Sequence, residues 1–335
     1  MRLPETSAVL AVRRGVREWV AARGGRMPVV VGLSGGADSL ALVAAAVVEA
    51  GDVTAVVVDH RLQDGSGEVA ARAAEQALAL GCVEARVLPV EVGRDGGVEA
   101  AARAARYAAL ESVRAGRPVL LGHTLDDQAE TVLLGLARGS GGRSIHGMSA
   151  WNPPWGRPLL GVRRAETVRM CADLGVEPWD DPHNLDPAYT RVRLRTEVLP
   201  LLEDVLGGGV AQALARTADQ LRADGEVLDV LTADLLRAAS AGAGGPGDSD
   251  RPALSVEILA TAASALRRRT IRAWLAEQGV SGLLNAHLQA IDELVSNWRG
   301  QGGVAVAGGG RDHRLVVARE HGTLTVREQP RNDAT

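Results

Sequence analysis

Val29-Val30-Val31-Gly32-Leu33-Ser34-Gly35-Gly36-Ala37-Asp38-Ser39 decides the fold: an apolar β-branched run meets two adjacent glycines and passes into an Ala/Leu-rich stretch that continues to Val48. A buried strand, a tight turn and a helix are expected in that order. Glycines let backbone N–H groups converge on an anion without Cβ obstruction, and the first helical turn adds donors and a favourable dipole. Residues 34–39 are therefore a phosphate cradle. A carboxylate inside such a cradle repels bare phosphate, so Asp38 is expected to hold a magnesium ion that bridges the phosphates. The chain contains no lysine, which excludes a Walker A loop and any lysine nucleophile.

Outward from this segment, short apolar runs alternate with longer stretches of helical spacing. Strands are expected at 29–33, 53–58, 85–92 and 119–122, and helices at 39–50, 66–80, 98–115 and 126–138. This βαβ alternation implies an α/β fold, a parallel sheet with helices on both faces. Ligands of such sheets bind at the carboxyl ends of the strands, so the turns after the first, second and fourth strands are the places for chemistry. The Trp/Pro-rich segment 151–155 reads as a surface loop, followed by a helix near 164–174 and an arginine-rich segment, 191–195. A mainly helical region and a small β-rich tail complete the chain. The expected division is 1–200 for the α/β domain, 201–300 for a helical region with a flexible linker at 241–252, and 301–335 for the small β-hairpin tail.

At 335 residues, with 46% hydrophobic residues and a net charge of −4, the chain reads as a globular protein of two or three domains with no global signature of a nucleic-acid binder. Cys82 and Cys171 stand in no disulfide or zinc spacing and read as small buried residues. The N-terminal arginines precede no secretory cleavage pattern, and the longest apolar stretch, 40–48, is too short to span a bilayer. The cytoplasm, with no membrane association, is the expected location, and a homodimer is compatible with the sequence.

At the sheet rim, Asp126 and Asp127 open a helix, where carboxylates serve as caps or as ligands of a cation. Glu130 lies one turn on, so one face can present carboxylates to a metal or to an incoming ammonium group. His60 and His123 each follow a strand end, as structural hydrogen-bonders or as site residues. Arg103 and Arg106 share a helix, with Arg106 favoured as a phosphate or base contact. Between Arg138 and Arg195 nine arginines stand against six acids, which suits contacts to a phosphate backbone. Trp151, Trp155 and Trp179 are candidates for base stacking or for packing. Arg267-Arg268-Arg269 reads as a remote nucleic-acid contact or as a solvated helix end.

Ser34-Gly35-Gly36-Ala37-Asp38-Ser39 matches the SGGxDS signature of N-type ATP pyrophosphatases, whose fold is adenine nucleotide alpha hydrolase-like. Further segments resemble the tRNA(Ile)-lysidine synthetase family, in that family's order: Val58-Asp59-His60-Arg61-Leu62, the helix Glu99 to Leu110, Gly122-His123-Thr124-Leu125-Asp126-Asp127-Gln128-Ala129-Glu130-Thr131, Arg138-Gly139, Gly147-Met148, Arg157-Pro158-Leu159-Leu160, Trp179-Asp180-Asp181 and Arg191-Val192-Arg193-Leu194-Arg195. Thr124 and Val192 stand where that family has histidine and asparagine. The resemblance implies a ligase that joins L-lysine to C2 of the wobble cytidine of isoleucine tRNA with a CAU anticodon, using ATP and Mg2+. It implies that Ser34, Gly35, Gly36, Ala37, Asp38, Ser39, His60 and Arg106 bind ATP, and that Asp38 and Asp127 hold the metal. Asp126, Asp127 and Glu130 would bind lysine, and Arg138, Arg143, Arg191, Arg193 and Arg195 the tRNA, with 1–200 as the PP-loop catalytic domain and 201–300 as a tRNA-contacting region. Asp38, His123, Asp127 and Arg195 would act in catalysis. The alternatives are a tRNA thiolase, a small-molecule amidating synthetase of the same superfamily, and a non-catalytic ATP sensor.

Overall fold

In the computed structural model, residues 3–61, 63, 65–93, 97–139, 141–182, 186–243, 252–309 and 313–330 are described. They belong to two compact units, Met1–Arg222 and Ala223–Thr335. Most of the linker expected at 241–252, and Gly310 of the tail, lie outside the described residues.

The first unit begins with α1 (Ser7–Ala21), whose N-cap Thr6 accepts a hydrogen bond from the Val9 amide. It continues β1 (Val29–Leu33), α2 (Ala37–Glu49), β2 (Val53–Asp59), α3 (Ser66–Ala79), β3 (Glu84–Pro89), α4 (Val98–Val113), β4 (Val119–Leu121) and α5 (Leu125–Ala137). The hairpin β5 (Trp151–Asn152) and β6 (Trp155–Gly156) follows, then α6 (Arg164–Asp173), α7 (Thr190–Arg193) and α8 (Leu199–Val205). A π-type turn, Leu194–Val198, joins α7 to α8. The long helix α9 (Val210–Ala241) runs from this unit into the second.

The sheet order is β3-β2-β1-β4-β6-β5, parallel throughout except for β5. β1 therefore has β2 on one side and β4 on the other, with Val30 in register with both Thr54 and Val119. Chain connections leave β1 and β4 in opposite directions, so a crevice opens outside their carboxyl ends, at Ser34 and His123. Near-continuous apolar strands fit burial on both faces: Val29, Val30 and Val31 are fully buried. α2 is buried from Ser39 to Ala46, its alanines allowing close approach to α1, α3 and α6.

Residues 151–155 do not form the expected surface loop. They pair as β5 and β6 on the sheet edge, because both tryptophans have aromatic partners. Trp151 meets Trp19 edge-on at 5.5 Å, and Trp155 meets Tyr107 at 4.4 Å. β3 is also shorter than expected, ending at Pro89 on the other sheet edge.

The second unit contains β7 (Leu254–Ser255), α10 (Val256–Ala260), α11 (Ser264–Glu277), α12 (Asn285–Ser296), β8 (Val304–Val306), β9 (His313–Glu320) and β10 (Thr323–Pro330). The strands form an antiparallel sheet in the order β7-β10-β9-β8. They share one core with the helices, in which Leu259, Ile271, Trp274, Ile291, Val317 and Leu324 are buried. Arg267 is buried in this unit and forks onto Asp292 at 2.5 and 3.2 Å, so the reading of Arg267 as part of a solvated or nucleic-acid-binding trio gives way to a structural ion pair. No single helix among the described residues is long and apolar enough to cross a membrane.

Candidate active site

The cradle stands at the crevice between β1 and β4. Gly35 takes φ +84°, a left-handed conformation that side chains resist, and its carbonyl accepts the Trp179 amide at 2.9 Å. Trp179 is thereby a brace of the loop. The Ser39 hydroxyl donates to the Gly36 carbonyl at 2.9 Å and accepts the Ser34 amide at 3.2 Å, closing the turn on itself. At the end of β4, a Cβ on Gly122 would stand 3.1 Å from backbone atoms of Asp38 and Ser39. Glycine at 122 is what lets the β4 exit touch the loop.

Around this contact the carboxylates are bound to arginines. Arg164, the first residue of α6, donates from Nε to Asp38 at 3.0 Å and from Nη2 to Asp127 at 2.6 Å. Its Nη1 lies 3.6 Å from Glu130 and makes no hydrogen bond. The Thr167 hydroxyl also donates to Asp38. Arg195, carried on the π-type turn, donates from Nε to Glu130 at 2.8 Å and reaches Asp127 at 3.5 Å. π-Turns recur where a helix must aim one side chain at a site. Three acids thus face two guanidinium groups.

Thr124 gives Asp127 its orientation. Its amide and hydroxyl both donate to Asp127 Oδ2, at 2.8 and 2.9 Å. The residue that departs from the family pattern is here an N-terminal clamp on α5. Burial opposes charge on Asp127, but Arg164 and these Thr124 bonds outweigh it and hold the carboxyl below its ordinary range. At Asp38 burial prevails over Arg164 and Thr167, and at Glu130 over Arg195, so both carboxyls are pushed up.

Asp126 is not brought into this group. It turns to the start of α6, accepting the Arg164 amide at 2.7 Å and pairing with Arg163 at 3.0 Å. A cap from a neighbouring helix thus sets the residue that carries the hub guanidinium. The His60 and His123 Nδ1 atoms are buried without hydrogen-bond partners. Burial lowers the pKa of both; for His123, with Arg157, Arg103 and Arg106 adding to the effect against Asp127, the value is about 4. For His60, Arg106 adds to burial. Both imidazoles are neutral at pH 7, each with an unused polar atom at the rim.

Arg138 and Arg143 are exposed at the end of α5 and in the turn beyond it. Arg191 is half-buried, and Arg193 is exposed and paired with Glu197 at 2.9 Å. Sequence reasoning gave Thr167 no role and counted Arg157, Arg163 and Arg164 only among the arginines suited to phosphate-backbone contacts. Arg164 lies 126 positions from Asp38, and no local spacing rule reveals such a pair. Its signal in the sequence was one count in a charge tally.

The donor set suits a magnesium ion. Among the described residues no three His, Cys, Asp or Glu side chains converge as a ready metal nest. Asp38 and Asp127, however, share one cation through hard oxygens beside a phosphate cradle, and Mg2+ is commonly held by one or two carboxylates, with phosphates and water completing its shell.

A PP-loop domain model matches residues 11–202, and a TilS substrate binding domain model matches residues 254–325. The chain is 65% identical to the tRNA(Ile)-lysidine synthase of Nocardia farcinica over 325 residues, 96% of this chain and 99% of that protein. To the enzyme of the same name from Rhodococcus erythropolis it is 60% identical over 97% of each chain. To that of Mycobacterium tuberculosis it is 58% identical over 90% of this chain and 91% of the relative. Among solved structures, the U34-tRNA thiolase NcsA of Methanococcus maripaludis is similar in fold, with a TM-score of 0.52 at 17% identity over 64% of this chain and 79% of that one. Two domain models in sequence and identity extending over nearly the whole length lead to one conclusion: the chain belongs to the tRNA(Ile)-lysidine synthase family.

Proposed function

We propose that the protein joins L-lysine to C2 of the wobble cytidine of isoleucine tRNA with a CAU anticodon, in the cytoplasm, consuming ATP and releasing AMP and pyrophosphate. The carrying observation is the meeting of Asp38, from the cradle, with Asp127 on a single guanidinium at the crevice between β1 and β4. That juxtaposition sets the glycine loop beside the buried carboxylates Asp127 and Glu130, which supports an ATP-driven attachment of a cationic amine.

In this reading the cytosine O2 attacks the α-phosphate of ATP and pyrophosphate leaves. The lysine ε-amine then attacks the activated C2, and AMP leaves. Residues 34–39 cradle the departing pyrophosphate with backbone amides, and His60, Arg106 and His123 line the nucleotide's rim, where the unpartnered Nδ1 atoms offer hydrogen bonds. Asp38 and Asp127 would hold Mg2+, which would supply charge neutralisation at the phosphates. Asp127 and Glu130 hold the lysine ammonium, while Arg195 orients both. Asp126 enters through Arg164 rather than by touching lysine. Arg138, Arg143, Arg191 and Arg193 face the tRNA backbone, with the helical region beyond residue 200 and the tail as further contacts. Positioning of three reactants and preorganised charge provide most of the rate.

A thiolase reading draws no support from the cysteines. Both are buried, and burial pushes the Cys82 and Cys171 thiols up to about 12 and about 11.

The direct test combines purified protein, ATP, labelled lysine and unmodified CAU-anticodon isoleucine tRNA; label must enter tRNA in step with AMP release. Absence of both in folded protein refutes the reading. Asp38→Asn is expected to reduce AMP release by about 100-fold or more with an unchanged circular dichroism spectrum, since Arg164 keeps Asp127 and Glu130 as partners. Near-wild-type turnover would remove Asp38 from the metal site.

A further inference from the structure

Arg164 does more than neutralise acids. Among the described residues its side chain is hydrogen-bonded to both Asp38 and Asp127, and its backbone amide is fixed by Asp126. The guanidinium therefore lies on the same carboxylate oxygens that a divalent cation would need. Its third nitrogen, Nη1, is buried without a hydrogen bond, 3.6 Å from Glu130. A buried unpaired donor is costly, and here it faces a carboxylate just beyond bonding distance. A small shift of the guanidinium would bring Nη1 within hydrogen-bond distance of Glu130.

We propose that Arg164 is a positioning residue that occupies the seat between Asp38 and Asp127 and yields it to a divalent cation by moving onto Glu130. The exchange couples the pyrophosphate loop to the carboxylate that receives the amine: filling the metal seat changes the charge facing Glu130. It rests on the assignment of Asp38 and Asp127 to the metal.

Mn2+ binding to the full chain, without ATP or tRNA, tests the exchange by electron paramagnetic resonance. Arg164→Gln removes the competing cation, and its Mn2+ affinity is expected to rise at least about tenfold, which equals about 1.4 kcal/mol. Arg164→Lys keeps a charge but lacks the fork that spans two carboxylates, and its affinity falls between the two. A merely structural arginine predicts equal or weaker Mn2+ binding in the folded variants, and that result overturns the proposal. Should Arg164→Gln fail to fold, the lysine variant decides by the same comparison with wild type. Asp38→Asn separates the two levels of inference. If Mn2+ binding depends on Asp38 but ignores Arg164, the exchange alone is wrong. If binding ignores Asp38, or is undetectable in every variant, the metal assignment falls and the exchange with it.

Discussion

His123 stands at the carboxyl end of β4 with its Nδ1 unpaired, and burial lowers its pKa from an ordinary 6.5 to about 4. Between those values the unfolded chain binds a proton that the folded protein refuses. Stability from this residue is therefore complete above pH 6.5 and is lost as pH falls towards 4, by an amount on the order of 3 kcal/mol. Asp38 and Glu130, whose carboxyls are pushed up, act with the opposite sign, so the test must isolate the imidazole. Urea denaturation of wild type and His123→Gln across pH 4 to 7 does so. The stability difference between them is expected to move in favour of the variant as the solution is acidified, and a difference that stays flat over that range would refute a buried neutral histidine.

At the scale of elements, Thr124 shows how one helix start serves both fold and site. Its two bonds to Asp127 close the first turn of α5 and aim the other carboxylate oxygen at Arg164. Thr124→Val is nearly isosteric but loses the hydroxyl donor; it is expected to cost about 1 kcal/mol of stability and to raise the KM for lysine more than that for ATP. Equal effects on both would reduce Thr124 to a simple cap. The elements themselves were largely legible in the sequence. β1, the loop at Gly35 and α2 follow from an apolar run, adjacent glycines and an alanine-rich helix, and Glu130 follows from Asp127 by helical spacing. Other features depend on contacts between distant segments. The β5–β6 hairpin exists because Trp151 finds Trp19 and Trp155 finds Tyr107, and Asp126 belongs to α6 because Arg163 and Arg164 arrive beside it. A reading by local spacing assigns all three acids of 126–130 to one ligand; the packing of α6 divides them.

For the whole molecule, the electrostatic problem is to bind a polyanion with a chain of net charge −4. Under the proposed function the arginine-weighted stretch 138–195 would carry that task, yet the fold engages much of it internally: Arg157 is buried, Arg163 and Arg164 are tied to Asp126, Asp38 and Asp127, and Arg195 to Glu130. Arg138, Arg143 and Arg193 are exposed at the surface, and the Arg193–Glu197 pair is a surface contact of small net value that a phosphate can replace. Each phosphate neutralised releases counterions, so tRNA affinity must fall steeply with salt. Replacing Arg138 and Arg143 together by alanine is expected to weaken tRNA binding about tenfold or more and to reduce the salt slope by about 2. The KM values for ATP and lysine should stay close to wild type, because neither arginine belongs to the carboxylate cluster. Filter binding at several salt concentrations, beside steady-state kinetics, measures both effects. An unchanged slope would move the tRNA contact away from the end of α5, and a parallel rise in lysine KM would mean that these residues support the carboxylate cluster rather than the nucleic acid.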